Sequence, residues 1–425
     1  MRVAPFSLLP GLVLALALGA CQISSDTPDA ADDASAPPPT RTASDVSTTG
    51  GDALPSEAEL EQNRLSGRWR TTADVDTAGR AAAQASNPER LDGIDRIAAD
   101  TSAWTTEMQL PLGGDVEGPS VLKAQVLLDR AGFSPGVIDG RWGDNTEKAI
   151  SWFQSAAGLK QTGIIDQKTL TALGRRAGEP AALVVTHALT EDDVAGPFVD
   201  IPDDVYEKAK LDRLGYESLS EKLGERFHAT PGLLARLNDG ATLDSLSAGD
   251  SLRVPAVGAA APDRRLDGNV ARLVISGEGG YLHALADDGS VLFHAPVTVG
   301  SSYDPSPEGQ FTVESVTPNP WWHYQPSILE GVPDDEEEAR LPPGPNNAVG
   351  TVWMALSKKH YGIHGTRAPE TIGYASSAGC VRLTNWDVET LADAVDAGTT
   401  VRFRDVKGEG ASRADSTASS PSSTT

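Results

Sequence analysis

Cysteine, aromatic side chains, basic residues and long apolar runs are all scarce in this sequence, and each scarcity closes a class of answers. Cysteine occurs only at Cys21 and Cys380, so each must be explained singly. The one long apolar run, Phe6 to Ala20, is too short and too close to the N-terminus for a spanning helix, which excludes a polytopic membrane protein. Lysine and arginine total 35 against 60 acidic residues, a formal charge of −25, and such a chain is a poor partner for nucleic acid. With only 39% hydrophobic and 5% aromatic residues, a sizeable part of the chain is expected never to pack. What remains, in 425 residues, exceeds one hydrophobic core and predicts two or three domains with linkers.

Arg2, the apolar stretch Leu8 to Leu18 and the small residues Gly19 and Ala20 have the layout of an export signal over residues 1–20. Leu18-Gly19-Ala20-Cys21 resembles the bacterial lipobox, which implies lipid on Cys21 and a membrane partner through that lipid. Gln22 in place of aspartate implies the outer membrane of a Gram-negative host, hence the periplasm. The alternative is an ordinary signal peptide with a chance cysteine. If Cys21 carries lipid, Cys380 is the one free thiol, either a small buried hydrophobe or a reactive group.

Residues 21–105, rich in Ser, Thr, Asp, Ala and Pro, read as a disordered tether, with a short helix within Thr77 to Asp100. Helical periodicity starts near Ser120 with Leu122, Val126, Ala124, Leu128 and Ala131, and Gly132 ends it. A second helix carries Ala149, Phe153 and Ala156 on one face, with Asn145 as candidate cap, and a third runs from Asp166 to Leu173. The order Ala124-Gln125, Gly132-Phe133, Asp139-Gly140, Thr146, Ala149, Trp152-Phe153-Gln154 and Gly158-Leu159 makes residues 117–176 resemble the three-helix peptidoglycan-binding module. After a linker with Pro180, Pro197 and Pro202, residues 212–256 predict two short helices and the strand Leu252 to Pro255. Through Tyr216, Leu223, Phe227, Thr230, Leu234, Asn238, Leu246, Gly249-Asp250 and Val254-Pro255 this unit is similar to a small α+β LysM repeat, which implies glycan binding; the alternative is a packing spacer.

From residue 268 to 406 the texture is β. Arg272 to Ser276, Tyr281 to Ala286, Val291 to His294 and Val297 to Val299 are short and separated by Gly- or Asp-rich turns, which predicts a mainly-β sandwich or barrel. The acidic run Asp334 to Glu338 reads as a solvated loop, and residues 407–425 as a disordered tail.

Within this β region lie His364 and, sixteen residues later, Cys380. A thiol attacks carbonyl carbon as thiolate, and an imidazole within reach supplies the base and a stabilising cation. The Gly365 carbonyl is positioned in sequence to fix the imidazole tautomer where no Asp is available. Gly379 lets the backbone N–H groups of Gly379 and Cys380 approach a developing oxyanion. Zinc, through His360 and His364 four residues apart, is disfavoured because no Glu follows His360 and Gly362-Ile363 opposes a helix. His187, His228, His283, His294 and His323 form no ligand spacing, and no Gly-rich phosphate loop precedes a helix, so no metal or other cofactor is expected.

The segments Pro307-Glu308-Gly309, Asn319-Pro320-Trp321-Trp322, Gly344-Pro345-Asn346-Asn347, Tyr361-Gly362-Ile363-His364-Gly365-Thr366 and Ser377-Ala378-Gly379-Cys380-Val381-Arg382-Leu383 resemble, in order, the L,D-transpeptidase (YkuD-type) catalytic domain. The resemblance implies that Cys380 attacks the L-centre carbonyl of a tetrapeptide stem, releases the terminal D-alanine and passes the acyl group to an amine. It implies Cys380 as nucleophile, His364 as base, and substrate contacts at Arg382, Ser377 and Tyr361. Arg382 suits a carboxylate or forms a structural ion pair, and Ser377 bonds near the thiolate or shapes the turn. Trp321, Trp322 and Trp353 either line the cleft or fill the core. Many members carry histidine two residues before the cysteine, where this chain has Ala378. Water, a lipoprotein lysine, or no acceptor at all in an inert wall anchor are the alternative outcomes.

Overall fold

The computed structural model describes residues 108–406, apart from 115, 179–181, 262–265, 267, 302–304, 327–332, 334 and 378. The expected signal segment, Cys21, the tether with its short helix, Ala378 and the tail therefore lie outside the described residues.

The first module is three helices. Helix α1 (Pro119–Arg130) starts on a proline, whose missing N–H costs nothing there, and ends where Gly132 takes a positive φ of 80°. Helix α2 spans Asp144–Ala156, and α3 spans Gln167–Arg176 with Asp166 accepting the Thr169 N–H as cap. Asn145, expected to cap α2, does not: Gly143 occupies that position, and the Asn145 amide instead donates to the Ile372 carbonyl at 2.8 Å. A capping residue needs extended backbone, and Asn145 already lies one residue inside the helix.

In the second module strand β1 (Val184–Ala188) pairs antiparallel with β2 (Ser251–Pro255), and helices α4 (Leu219–Arg226) and α5 (Pro231–Leu237) lie between them in sequence. Strand β1 falls in the stretch expected to be linker, so this βααβ unit starts well before residue 212. Its alternating burial was masked by neighbouring prolines.

The third module is one mixed sheet of eight strands: β3 (Arg272–Ser276), β4 (Tyr281–Leu285), β5 (Val291–Pro296), β6 (Gly309–Pro318), β9 (Val352–Leu356), β10 (Gly362–His364), β11 (Val381–Arg382) and β12 (Thr400–Arg404). Their spatial order is β11-β10-β9-β6-β12-β3-β4-β5, with parallel pairs at β10/β11 and β12/β3 and antiparallel pairs elsewhere. A separate ribbon pairs β7 (Trp322–Tyr324) with β8 (Ala339–Leu341) beside the exposed residues 335–338. The expected alternative of a two-sheet sandwich is thus replaced by a sheet that curls. Val297 to Val299 is not a strand of its own but the seam: Thr298 and Arg382 exchange backbone hydrogen bonds of 3.1 and 2.9 Å, which brings the two sheet edges together. One apolar cluster, from Leu273 through Phe293, Met354 and Ile363 to Phe403, draws on all eight strands and on helix α6 (Asn385–Ala392).

The modules share surfaces rather than hanging on linkers. Gly132 and Ser134 bond the backbone of His294 on edge strand β5, so the first module covers an edge that would otherwise recruit other strands. Trp152 packs 4.6 Å from the His283 ring, and His283 Nε2 lies 3.0 Å from His294 Nδ1. Leu122, Val126 and Ile138 of the first module join the core of the second. Gly344 has no room for a side chain against the Leu214 backbone, at the contact between the second and third modules.

Lys148 lies fully buried at the first of these junctions, its Nζ donating to the Gly280 carbonyl at 3.0 Å. Burial lowers its pKa to about 7, against an opposing pull from Asp144. Between there and the unfolded value of 10.5 the unfolded chain holds the extra proton, so this group makes stability rise with pH across that window, while below it the full penalty of a buried charge persists. Lys148→Met is therefore expected to unfold at a higher temperature than wild type at pH 6, with the gap shrinking from pH 7 to pH 9. A gap that does not change with pH contradicts a titrating, buried Lys148.

Candidate active site

The site forms where the short strands β10 and β11 meet. Gly362 opens β10 because the Trp353 ring of β9 occupies the space a Cβ would need, and the strand pattern, with Ile363 fully buried, is incompatible with the helix a zinc pair at His360 and His364 requires. His364 ends β10, opposite Trp353 on one side and Arg382 on the other. Cys380 immediately precedes β11, two residues before Arg382, so the pleat places its side chain on the face that His364 shares. Gly379 sits at φ 103°, a region closed to side chains, and a Cβ there would press on the Tyr361 ring.

Both groups are buried, Cys380 and His364 each being 3% exposed. Cys380 lies in an apolar patch with Val349, Trp353, Trp322 and Ala355, and its thiol reaches the His360 carbonyl at 3.9 Å. Burial pushes the thiol up to about 12, opposed by a Gly362 backbone hydrogen bond and the Arg382 charge. Burial and the Arg382 charge lower the imidazole to about 3, while its bond to Gly365 works the other way. Both side chains therefore rest neutral at pH 7. Neutral imidazole carries one N–H, and Nδ1 lies 2.7 Å from the Gly365 carbonyl, an acceptor only, so the proton sits on Nδ1 and Nε2 is the free base.

The other expected contacts separate. Arg382 sits close enough to shift both groups electrostatically, with its backbone fixed in the seam to Thr298. Tyr361 is partly buried against the β core, and Lys358 Nζ lies 5.2 Å from its ring centre. Ser377, expected among the substrate contacts, is 1% exposed, and its hydroxyl donates to the Cys380 carbonyl at 2.5 Å. That donor is engaged in shaping the turn, the second of the two roles expected for it. Of the tryptophans, Trp353 is core, 5.5 Å from the His364 ring, whereas Trp321 is half exposed beneath Arg340. Two residues were missed. Ser306 donates to the Gly379 carbonyl at 2.7 Å and so braces the turn; nothing in its local sequence signals this. Asn385 accepts the Thr366 and Thr351 N–H groups at 3.1 and 3.2 Å; its place directly after the capping Thr384 makes it read as an ordinary helix start.

The YkuD family, described as the L,D-transpeptidase catalytic domain, matches residues 271–403, and a family described as "Putative peptidoglycan binding domain" matches residues 117–173. The protein named "Putative L,D-transpeptidase YkuD" of Bacillus licheniformis is 33% identical over 181 residues, 43% of this chain and 90% of that protein. The chain belongs to the L,D-transpeptidase family. "Probable L,D-transpeptidase ErfK/SrfK" of Escherichia coli is 32% identical over 127 residues, 29% of this chain and 41% of that protein. A crystal structure of the L,D-transpeptidase of Xylanimonas cellulosilytica, residues 123–326, aligns with 70% of this chain and 99% of that one at 17% identity and a TM-score of 0.31. This chain is accordingly a peptidoglycan L,D-transpeptidase, an acyltransferase that carries a peptidoglycan-binding domain.

Proposed function

We propose that Cys380 is the nucleophile and His364 the general base of this L,D-transpeptidase, and that the reaction proceeds through a thioester. The observation that carries the assignment is the single Nδ1–Gly365 hydrogen bond, which leaves Nε2 unprotonated on the face shared with Cys380. With both groups neutral at rest, the thiol proton passes to Nε2 as the sulfur–carbon bond forms at the L-centre carbonyl of a tetrapeptide stem. The Gly379 and Cys380 N–H groups are the donors best placed in sequence for the resulting oxyanion. The imidazolium returns its proton to the departing D-alanine amine; an acceptor amine then attacks the thioester, giving up its proton to Nε2, and the carbon–sulfur bond breaks so that the Cys380 thiolate leaves and takes that proton back as the free thiol. Arg382 supplies positive charge beside this centre and suits a substrate carboxylate.

Mixing the full chain with tetrapeptide muropeptides and reading products by mass spectrometry is expected to show loss of D-alanine and cross-linked dimers, both absent for Cys380→Ser and His364→Ala. Hydrolysed tripeptide alone would replace transfer by hydrolysis, and an unchanged mixture with wild type would overturn the assignment.

The lipobox-like Leu18-Gly19-Ala20-Cys21 supports a lipid anchor on Cys21, with the catalytic domain working in the periplasm from the outer membrane. The βααβ layout of residues 184–255, together with Tyr216, Asn238 and Val254-Pro255, supports a LysM-like glycan-binding module. Cell fractionation is expected to find wild type with membranes and Cys21→Ser in the soluble fraction, while Cys380→Ser still sediments with isolated peptidoglycan. Equal partitioning of wild type and Cys21→Ser contradicts the anchor, and a fully soluble Cys380→Ser contradicts wall binding.

A further inference from the structure

The carbonyl that holds His364 belongs to a peptide unit gripped from both sides. In the Gly365–Thr366 peptide, the carbonyl lies 2.7 Å from His364 Nδ1 and the N–H donates to Asn385 Oδ1 at 3.1 Å. Asn385 is 1% exposed, and the same Oδ1 accepts the Thr351 N–H at 3.2 Å. Its Nδ2 donates to both carboxyl oxygens of Glu225, at 2.9 and 3.1 Å, and faces the Pro345 carbonyl at 3.4 Å. Donors surround one end of the amide and acceptors the other, so its orientation is fixed; a flip would set N–H against N–H. The fit leaves no slack, since a Cβ on either Gly350 or Gly365 would collide with Asn385 Oδ1.

Glu225 is not part of the catalytic domain. It lies on α4 of the βααβ module, 160 residues from Asn385 in sequence. We infer that Glu225 is a positioning residue for His364, acting through Asn385 and the Gly365–Thr366 peptide, so that the catalytic tautomer depends on the docking of a neighbouring module. The inference rests on His364 being the base. Without an acceptor at Glu225 the Asn385 Nδ2 keeps only its long contact to the Pro345 carbonyl, the amide and the peptide it grips are held less firmly, and the imidazole samples the tautomer with Nε2 protonated. Burial, with the Glu389, Glu221 and Glu370 charges adding to it and the Asn385 donation opposing it, pushes the Glu225 carboxyl up to about 8. Glutamine, a neutral side chain with one acceptor oxygen, is therefore a fair stand-in at neutral pH.

The test uses the full chain and a carbapenem, which acylates the nucleophile of this family, with acylation followed by intact mass and the His364 tautomer by imidazole 15N NMR. Glu225→Ala is expected to lower the limiting acylation rate roughly ten- to hundredfold, with the half-saturating concentration within about twofold of wild type. The 15N spectrum should shift from the Nδ1–H form toward a mixture. Glu225→Gln should recover most of the rate, and Glu225→Ala with Asn385→Ala should be no slower than Asn385→Ala alone, as for two members of one relay. The inference is overturned if folded Glu225→Ala keeps the wild-type rate and tautomer, or if glutamine rescues no better than alanine. Should Glu225→Ala fail to fold, Glu225→Gln and Asn385→Ala decide: a near-normal rate in the first and an altered tautomer in the second support it, and an unaltered tautomer in the second overturns it. His364→Ala separates the two readings: if it acylates as fast as wild type at pH 7, the base assignment itself fails.

Discussion

The hydrogen bond between His364 Nδ1 and the Gly365 carbonyl is the contact on which the site depends. A carboxylate in that place would stabilise an imidazolium; a carbonyl fixes the tautomer while adding only a dipole. With burial acting on both groups, the consequence is an uncharged thiol and an uncharged imidazole. In the mechanism proposed above, such a pair holds its reactivity until substrate supplies the carbonyl that the sulfur attacks.

Much of the remaining structure keeps that arrangement rigid. The seam from Thr298 to Arg382 joins the outermost strands of the sheet at the segment bearing the cysteine, so Cys380 sits at the closure of the barrel rather than on a free edge. Ser377 and Ser306 brace the Gly379-Cys380 turn through its own carbonyls. Gly362, Gly365 and Gly379 are each required by a close neighbour: the Trp353 ring, the Asn385 amide and the Tyr361 ring. The two smaller modules pack directly on this domain, the first by covering edge strand β5 and the second through Leu214, Glu221 and Glu225, of which Glu221 meets Asn346 and Glu225 meets Asn385.

What the sequence discloses follows from the range of each interaction. Helices α1 to α5, most strands and the pairing of His364 with Gly365 depend on neighbours in the chain, and their periodicity, glycines and motif order are legible. Strand β1 was not, because its partner lies more than sixty residues on and prolines flank it. The curl of the sheet and its parallel pairs at β10/β11 and β12/β3 arise from contacts that no local pattern encodes. Ser377 illustrates the limit most plainly: residue type and position suit a substrate contact, but only the fold shows that its hydroxyl is already engaged. Asn385 is the converse, a polar residue at an unremarkable helix start that turns out to hold the peptide behind the imidazole.

The uncharged resting state of thiol and imidazole can be read from thiolate absorbance in the ultraviolet as the unliganded chain is titrated, with Cys380→Ser subtracted. No Cys380 thiolate signal is expected through neutral pH, and ionisation only toward about pH 12. A thiolate already present at pH 7, and lost in His364→Ala, would mean a preformed ion pair and would contradict that state.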